Sequence, residues 1–259
     1  MATEFSPALD LVLGALEQMR DGGGKLPRAS RIALTQLHQP VVIARVEVVE
    51  RRGVGDKAAR LAQIQARVAV CTTCPHLARS RTQTVFGVGN PDAELMFIGE
   101  APGADEDARG EPFVGRAGQL LTKIIGAMGL GRDDVYIANV LKCRPNMPRG
   151  SAGNRPPTPE EMKTCLPYLA EQIQIVQPKV LVALGATAVE GLLGSRGTMR
   201  EMRGRWHSHQ ETPLMITYHP SYLLRPDGAL QKRKVWEDML QVMERLDHPI
   251  TEKQRRFFT

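Results

Sequence analysis

From residue 85 onward, short, almost wholly apolar runs alternate with longer stretches whose apolar positions recur every three or four residues. The runs are E-L-M-F-I-G at 94–99, D-V-Y-I-A-N-V at 134–140, K-V-L-V-A-L-G at 179–185 and L-M-I-T-Y-H at 214–219. Runs this short and this apolar suit strands covered on both faces, as in a parallel sheet. The periodic stretches Ala117–Met128, Pro159–Val176 and Ala186–Leu193 predict helices between them. Strands alternating with helices predict an α/β fold: a three-layer sandwich with a central four-stranded, mainly parallel sheet flanked by helices. Ligands on such sheets bind at the carboxyl ends of strands, which nominates Gly99–Gly103, Asn139–Cys143, Gly185 and His219–Leu224 as one surface.

The first 60 residues carry a different pattern. Residues 6–20 predict a short amphipathic helix behind a Ser-Pro start, and the D-G-G-G-K run within 21–30 predicts a flexible linker. V-V-I-A-R-V-E-V-V-E at 41–50 has strand character, and from Asp56 to Val70 a helical pattern leads into Cys71. We therefore divide the chain into an extension (1–60), a main domain (61–250) and a tail (251–259).

Composition narrows the setting. The 259 residues suffice for one well-buried core plus an appendage. A net charge of +6 is a weak pointer to a polyanionic partner. No run of the ~18 apolar residues needed for a membrane span exists. M-A-T-E-F-S-P lacks a basic start followed by an apolar stretch, so no secretory signal is expected. The expectation is a cytoplasmic protein without a membrane partner, working as a monomer.

There are four cysteines: Cys71 and Cys74 as C-T-T-C, Cys143 in K-C-R-P and Cys165 in K-T-C-L-P. In a reducing compartment four such thiols point to metal ligation rather than disulfides, and thiolate is the soft ligand of both zinc and iron–sulfur centres. Lys142, Arg144 and Lys163 lie beside them, and positive charge favours the thiolate.

The strand ends hold further chemistry. Glu100 can orient a water or stabilise positive charge, and Phe113 in P-F-V-G offers a flat face for stacking. The Asn139 carboxamide can read the edge of a base, and a neutral His219 can donate to a carbonyl oxygen that gains charge. Taken singly, each also reads as an ordinary feature: a solvated acid, a core aromatic, a turn-capping Asn, a structural His. In S-Y-L-L-R, Leu223 and Leu224 beside Arg225 suit wedging into a base stack, or both leucines face the core.

In order and spacing, G-E-A-P-G with E-P-F-V-G-R-A-G-Q-L-L, I-A-N-V-L-K-C-R-P, G-N-R-P-P-T-P-E-E and H-P-S-Y-L-L-R together resemble the uracil-DNA glycosylases, specifically the iron–sulfur-containing family 4 enzymes. The likeness covers roughly residues 65–245. It implies a glycosylase that flips uracil out of single- or double-stranded DNA and hydrolyses its N-glycosidic bond, leaving an abasic site for base excision repair. It implies a [4Fe–4S] cluster on Cys71, Cys74, Cys143 and Cys165, with Glu100 and His219 as catalytic residues. Gly99, Ala101, Phe113, Asn139 and His219 would bind the base, with His219 at the uracil O2. Leu223 would fill the vacated stack, and Arg144, Arg155 and Arg225, with Lys142 and Arg149 nearby, would contact DNA. The loop P-N-M-P-R-G-S-A-G-N is longer than usual for the family and lacks the histidine with which a related subgroup bonds covalently to the abasic sugar, so ordinary turnover is expected. A zinc-bearing binding module and a glycosylase for other deaminated bases are the alternatives.

Overall fold

The computed structural model describes residues 55–147, 153–194, 197–226 and 228–258, with Gln18 and Asp21. The expected linker at 21–30 and strand at 41–50, nearly all of the helix at 6–20, and Arg149 lie outside the described residues.

Four strands form the parallel centre: β2 (Leu95–Gly99), β3 (Tyr136–Asn139), β4 (Val180–Leu184) and β6 (Thr212–Thr217). Each matches one of the apolar runs. Two short strands extend the sheet at its edges, both antiparallel: β1 (Val88–Gly89) on β3 and β5 (Trp206–His209) on β6. The spatial order is β1-β3-β2-β4-β6-β5, so the sheet is mixed and has six strands rather than four. The edges escaped the sequence reading because β1 is two residues long and β5 (W-H-S-H) has three polar residues. An edge strand needs no apolar run, since only part of it is covered.

Alternation along the strands sends side chains into two separate layers. Met96, Ile98, Tyr136, Ala138, Leu181, Ala183, Leu214 and Ile216 pack on one face. That layer includes Leu61, Ile64 and Val68 from α1 (Gly55–Ala69), with residues of α5 (Pro159–Val176) and α6 (Ala186–Leu193). Leu95, Phe97, Ile137, Val180, Val182 and Met215 face the other way, towards α4 (Arg116–Ala127) and α9 (Ala229–Arg245). Shorter helices fill the connections: α2 (Pro75–Ser80), α3 (Ala104–Arg109), α7 (Met199–Met202), α8 (Pro220–Leu223) and α10 (Glu252–Arg255). The three-layer expectation therefore holds.

Two local devices set the geometry near the strand ends. At α5, Thr158 accepts from the Glu161 amide while the Glu161 carboxylate accepts from the Thr158 amide, a reciprocal cap that starts the helix at Pro159. Beneath β6, Asp238 of α9 is fully buried and is held by Thr217 Oγ1 at 2.6 Å and by Arg203. The C-terminal segment expected as a tail is docked instead: Trp236 Nε1 donates to Gln254 O at 2.7 Å, and Phe257 packs on the Trp236 ring.

Candidate active site and thiol cavity

The four parallel strands end on a common cavity of about 440 Å³. Glu100 follows β2, Asn139 ends β3, Gly185 follows β4 and His219 comes two residues after β6; all four line it, with Ala101, Glu106, Phe113, Arg155 and Thr187 among their neighbours. The cavity thus brings together Ala101, Phe113, Asn139 and His219, four of the five residues nominated from the sequence to bind a base. Gly99 lies directly beneath: a Cβ there would collide with the Phe113 ring and the Asn139 carboxamide.

Phe113 is presented by a loop pinned from two sides. The Glu106 carboxylate accepts from the amides of Gly103, Val114 and Gly115 at 2.9–3.1 Å, tying the start of the loop to its end. Arg132 donates to the Pro112 and Phe113 carbonyls at 2.8 and 3.1 Å. These bonds hold Phe113 at φ 54°, a left-handed conformation costly for an aromatic residue. Gly118 permits it, because any Cβ there would strike the Phe113 carbonyl. The ring ends buried, 5.6 Å from the His219 ring.

His219 caps α8. Its Nδ1 accepts from the Ser221 amide at 3.1 Å and lies 2.8 Å from Ser221 Oγ. An acceptor at Nδ1 assigns the neutral ring's proton to Nε2, making that nitrogen a donor. Burial pushes the imidazole pKa down to about 4, against a weaker opposing pull from Glu106, so the ring is neutral at physiological pH. Asn139 is 2 % exposed and its Oδ1 has no hydrogen-bond partner among the described residues. A buried acceptor left unpaired costs about 1–3 kcal/mol, which a ligand donor would recover. Burial raises the Glu100 pKa, opposed by a 2.6 Å bond from Thr187 Oγ1.

Three of the expected DNA contacts are corrected. Leu223 is 2 % exposed and packs in the layer that includes Phe113 and Trp236, so it has no surface to insert between bases. Its neighbour Leu224 is 39 % exposed, one position further round the α8 turn, and Arg225 beside it stacks over Tyr222. Arg155 lines the cavity, but its five N–H groups are spent on Asn146 O, Asn146 Oδ1, Pro156 O and both oxygens of Glu161. Its guanidinium is a brace and not a phosphate contact. Arg144 donates to Gly153 O and keeps a buried Nε–H without a partner among the described residues. Lys142 is also diverted inward: it is 1 % exposed, with Nζ bonded to Asn139 O and Gln172 Oε1.

All four cysteines line a second cavity, with Arg81, Glu161 and Tyr168. Their environments are arranged around sulfur. Arg81 Nη1 donates to Cys143 Sγ at 3.1 Å, the Lys142 amide to Cys165 Sγ at 3.2 Å, and Thr73 Oγ1 lies 3.3 Å from Cys71 Sγ. Burial pushes the Cys143 and Cys74 thiols up and takes Cys165 to about 11. At Cys71 the upward push of burial is outweighed by bonds to Thr73 and Tyr168. Among the described residues no three His, Cys, Asp or Glu side chains close on a single metal ion. The donor set itself, four soft ligands round one cavity with N–H groups aimed at two of the sulfurs, fits a thiolate-held metal centre.

The sequence reading missed Glu106, Arg132 and Thr187. Only Glu106 carried a signal: it stands three residues after Gly103, the spacing at which a carboxylate reaches back to the amide that precedes a helix.

A family model described as "Uracil DNA glycosylase superfamily" matches residues 86–240. The type-4 uracil-DNA glycosylase of Thermotoga maritima is 45% identical over 180 residues, covering 68% of this chain and 89% of that protein. The type-4 uracil-DNA glycosylase of Archaeoglobus fulgidus is 41% identical over 63% of this chain and 83% of its own. The type-5 uracil-DNA glycosylase of Thermus thermophilus is more distant, at 29% identity over 66% of this chain and 91% of its own. No helix among the described residues is long and apolar enough to cross a membrane.

Proposed function

The chain belongs to the uracil DNA glycosylase superfamily, and from that premise we propose that it removes uracil from DNA by hydrolysis of the N-glycosidic bond. The observation that carries the reading is Asn139 Oδ1, a buried acceptor with no partner among the described residues, beside a ring that can stack on a planar base. Uracil supplies the missing donor, its N3–H, and accepts from the same carboxamide at O4.

Chemistry on a base requires its extrusion from the stack, at a cost of a few kcal/mol. Phe113 then stacks on the ring, and the Nε2–H of His219 donates to O2, where charge develops as the bond breaks. Because this imidazole is neutral, it stabilises the leaving anion by hydrogen bonding rather than by proton transfer. The C1′–N1 bond breaks with its electron pair going to uracil, a water oxygen bonds to C1′, and Glu100 takes the water proton. Leu224 fills the vacated stack, and Arg225 and Arg144 contact phosphate.

Cys71, Cys74, Cys143 and Cys165 would hold a [4Fe–4S] cluster. When bound, the cluster supplies cross-linking of the chain before α2, the loop after β3 and helix α5. The enzyme works as a cytoplasmic monomer in base excision repair and turns over without covalent capture.

The test is alkali-developed strand cleavage of an oligonucleotide carrying one uracil, by the iron-loaded protein. Cleavage at uracil and none at thymine is the expected result. Absence of cleavage in both single- and double-stranded substrates overturns the reading.

A further inference from the structure

Glu100 and Thr187 are 87 residues apart in the chain but meet because β2 and β4 are parallel neighbours, paired at Ile98 and Ala183. Thr187 is the second residue of α6, and the helix begins immediately after Gly185, whose φ of 90° turns the chain sharply off β4. The hydroxyl is thus carried by a rigid corner, half-buried in the cavity wall, with its oxygen 2.6 Å from Glu100 Oε2.

Among the described residues, no other protein group does this work. Three further charged or titratable side chains face the cavity. Glu106, on α3, is saturated by three backbone amides. Arg155, before α5, is spent on Glu161, Asn146 and Pro156. His219, before α8, is neutral and bonded to Ser221. Among the described residues, no cation compensates Glu100 and Thr187 is its single hydrogen-bond donor.

We propose that Thr187 is a positioning residue for the glycosidic hydrolysis: its hydroxyl holds one oxygen of the Glu100 carboxylate and leaves the other to receive the proton of the attacking water. The inference rests on the uracil-cleaving reading above. It has a second consequence. Burial favours the protonated acid and only this hydroxyl opposes it, so Thr187 also widens the pH range in which Glu100 can accept a proton.

The experiment compares wild type with Thr187→Val, Thr187→Ala and Thr187→Ser in single-turnover cleavage of a uracil oligonucleotide across pH. Hydrogen bonds to a charged group predict a loss of roughly tenfold to a hundredfold for the valine and alanine variants near neutrality. The acid limb of their rate–pH profiles moves to higher pH, and binding to uracil-free duplex is unchanged. Serine, which keeps the hydroxyl, restores both rate and limb. An active wild type with valine and alanine variants of the same profile overturns this inference alone. So does a serine variant as slow as alanine, since the loss then comes from packing. A wild type that cleaves no uracil overturns the proposed function and this inference with it.

Discussion

The base cavity and the thiol cavity sit side by side and treat buried polar groups in opposite ways. The base cavity is under-supplied: among the described residues Asn139 Oδ1 has no partner, His219 keeps Nε2–H as a donor, and Glu100 has one neutral donor. The thiol cavity is supplied in advance, with the Arg81 guanidinium donating to Cys143 and the Lys142 amide to Cys165. Polar groups left wanting recruit a transient ligand, because each recovers its hydrogen bond only on binding. Donors aimed at sulfur favour the thiolate that a metal requires, against the upward push of burial on Cys143 and Cys165. The wall between the cavities is shared: Arg155 lines one and Glu161 the other, and Lys142 bonds the Asn139 carbonyl through Nζ and Cys165 Sγ through its amide.

The largest test of this contrast removes a thiol. Cys143→Ala should abolish iron binding and the absorption near ~400 nm expected of a thiolate-bound cluster, with a large fall in thermal stability. Full iron content in that variant would remove Cys143 from the ligand set.

Breaking the shared wall should come next. Glu161 is 2 % exposed, and Arg155→Ala removes the bidentate partner of its charge, leaving the Thr158 amide and His76, at a cost of about 3–5 kcal/mol in denaturant unfolding. Against the upward push of burial, Arg155, the Thr158 amide and His76 together hold the Glu161 carboxyl down at about 2. Its folded value lies below the ordinary 4.5, so the stabilisation is complete above 4.5 and is lost as pH falls towards about 2. Stability of the wild type should therefore fall through that window, and Arg155→Ala should flatten the fall.

Leu223 and Leu224 give a smaller, sharper pair. Leu223→Ala opens the core and should cost about 2–5 kcal/mol of stability. Leu224→Ala should leave unfolding unchanged and slow cleavage of uracil in duplex more than in single strands. A stability loss at Leu224 equal to that at Leu223 would contradict the exposure difference between them. The smallest expected effect is a flat stretch: the cleavage rate should show no inflection at the ordinary histidine value of 6.5, because His219 titrates at about 4.

These pairs also show what a sequence can reveal. The central strands were legible because a parallel strand buried on both faces must be apolar throughout, and 95–99 and 180–184 are. Glu100, Phe113, Asn139 and His219 were legible because each stands at or near the end of such a run, or in a motif beside it. Helix α9 went unmarked although Val235, Trp236, Met239, Val242 and Met243 recur at helical spacing. Leu223 and Leu224 were not separable, since adjacent apolar residues in one helical turn differ only in the direction each faces. Arg155 reads as a phosphate ligand until its five partners are seen, and the Thr187 bond spans 87 residues that no local pattern links.

Gly99 constrains how this cavity can evolve. The Phe113 ring and the Asn139 carboxamide both rest on its missing side chain, so any replacement there disturbs both at once. Ala101 and Ala117 also line the cavity, and a substitution at either does not meet this double collision. One glycine thus makes the ring of Phe113 and the amide of Asn139 inherit together.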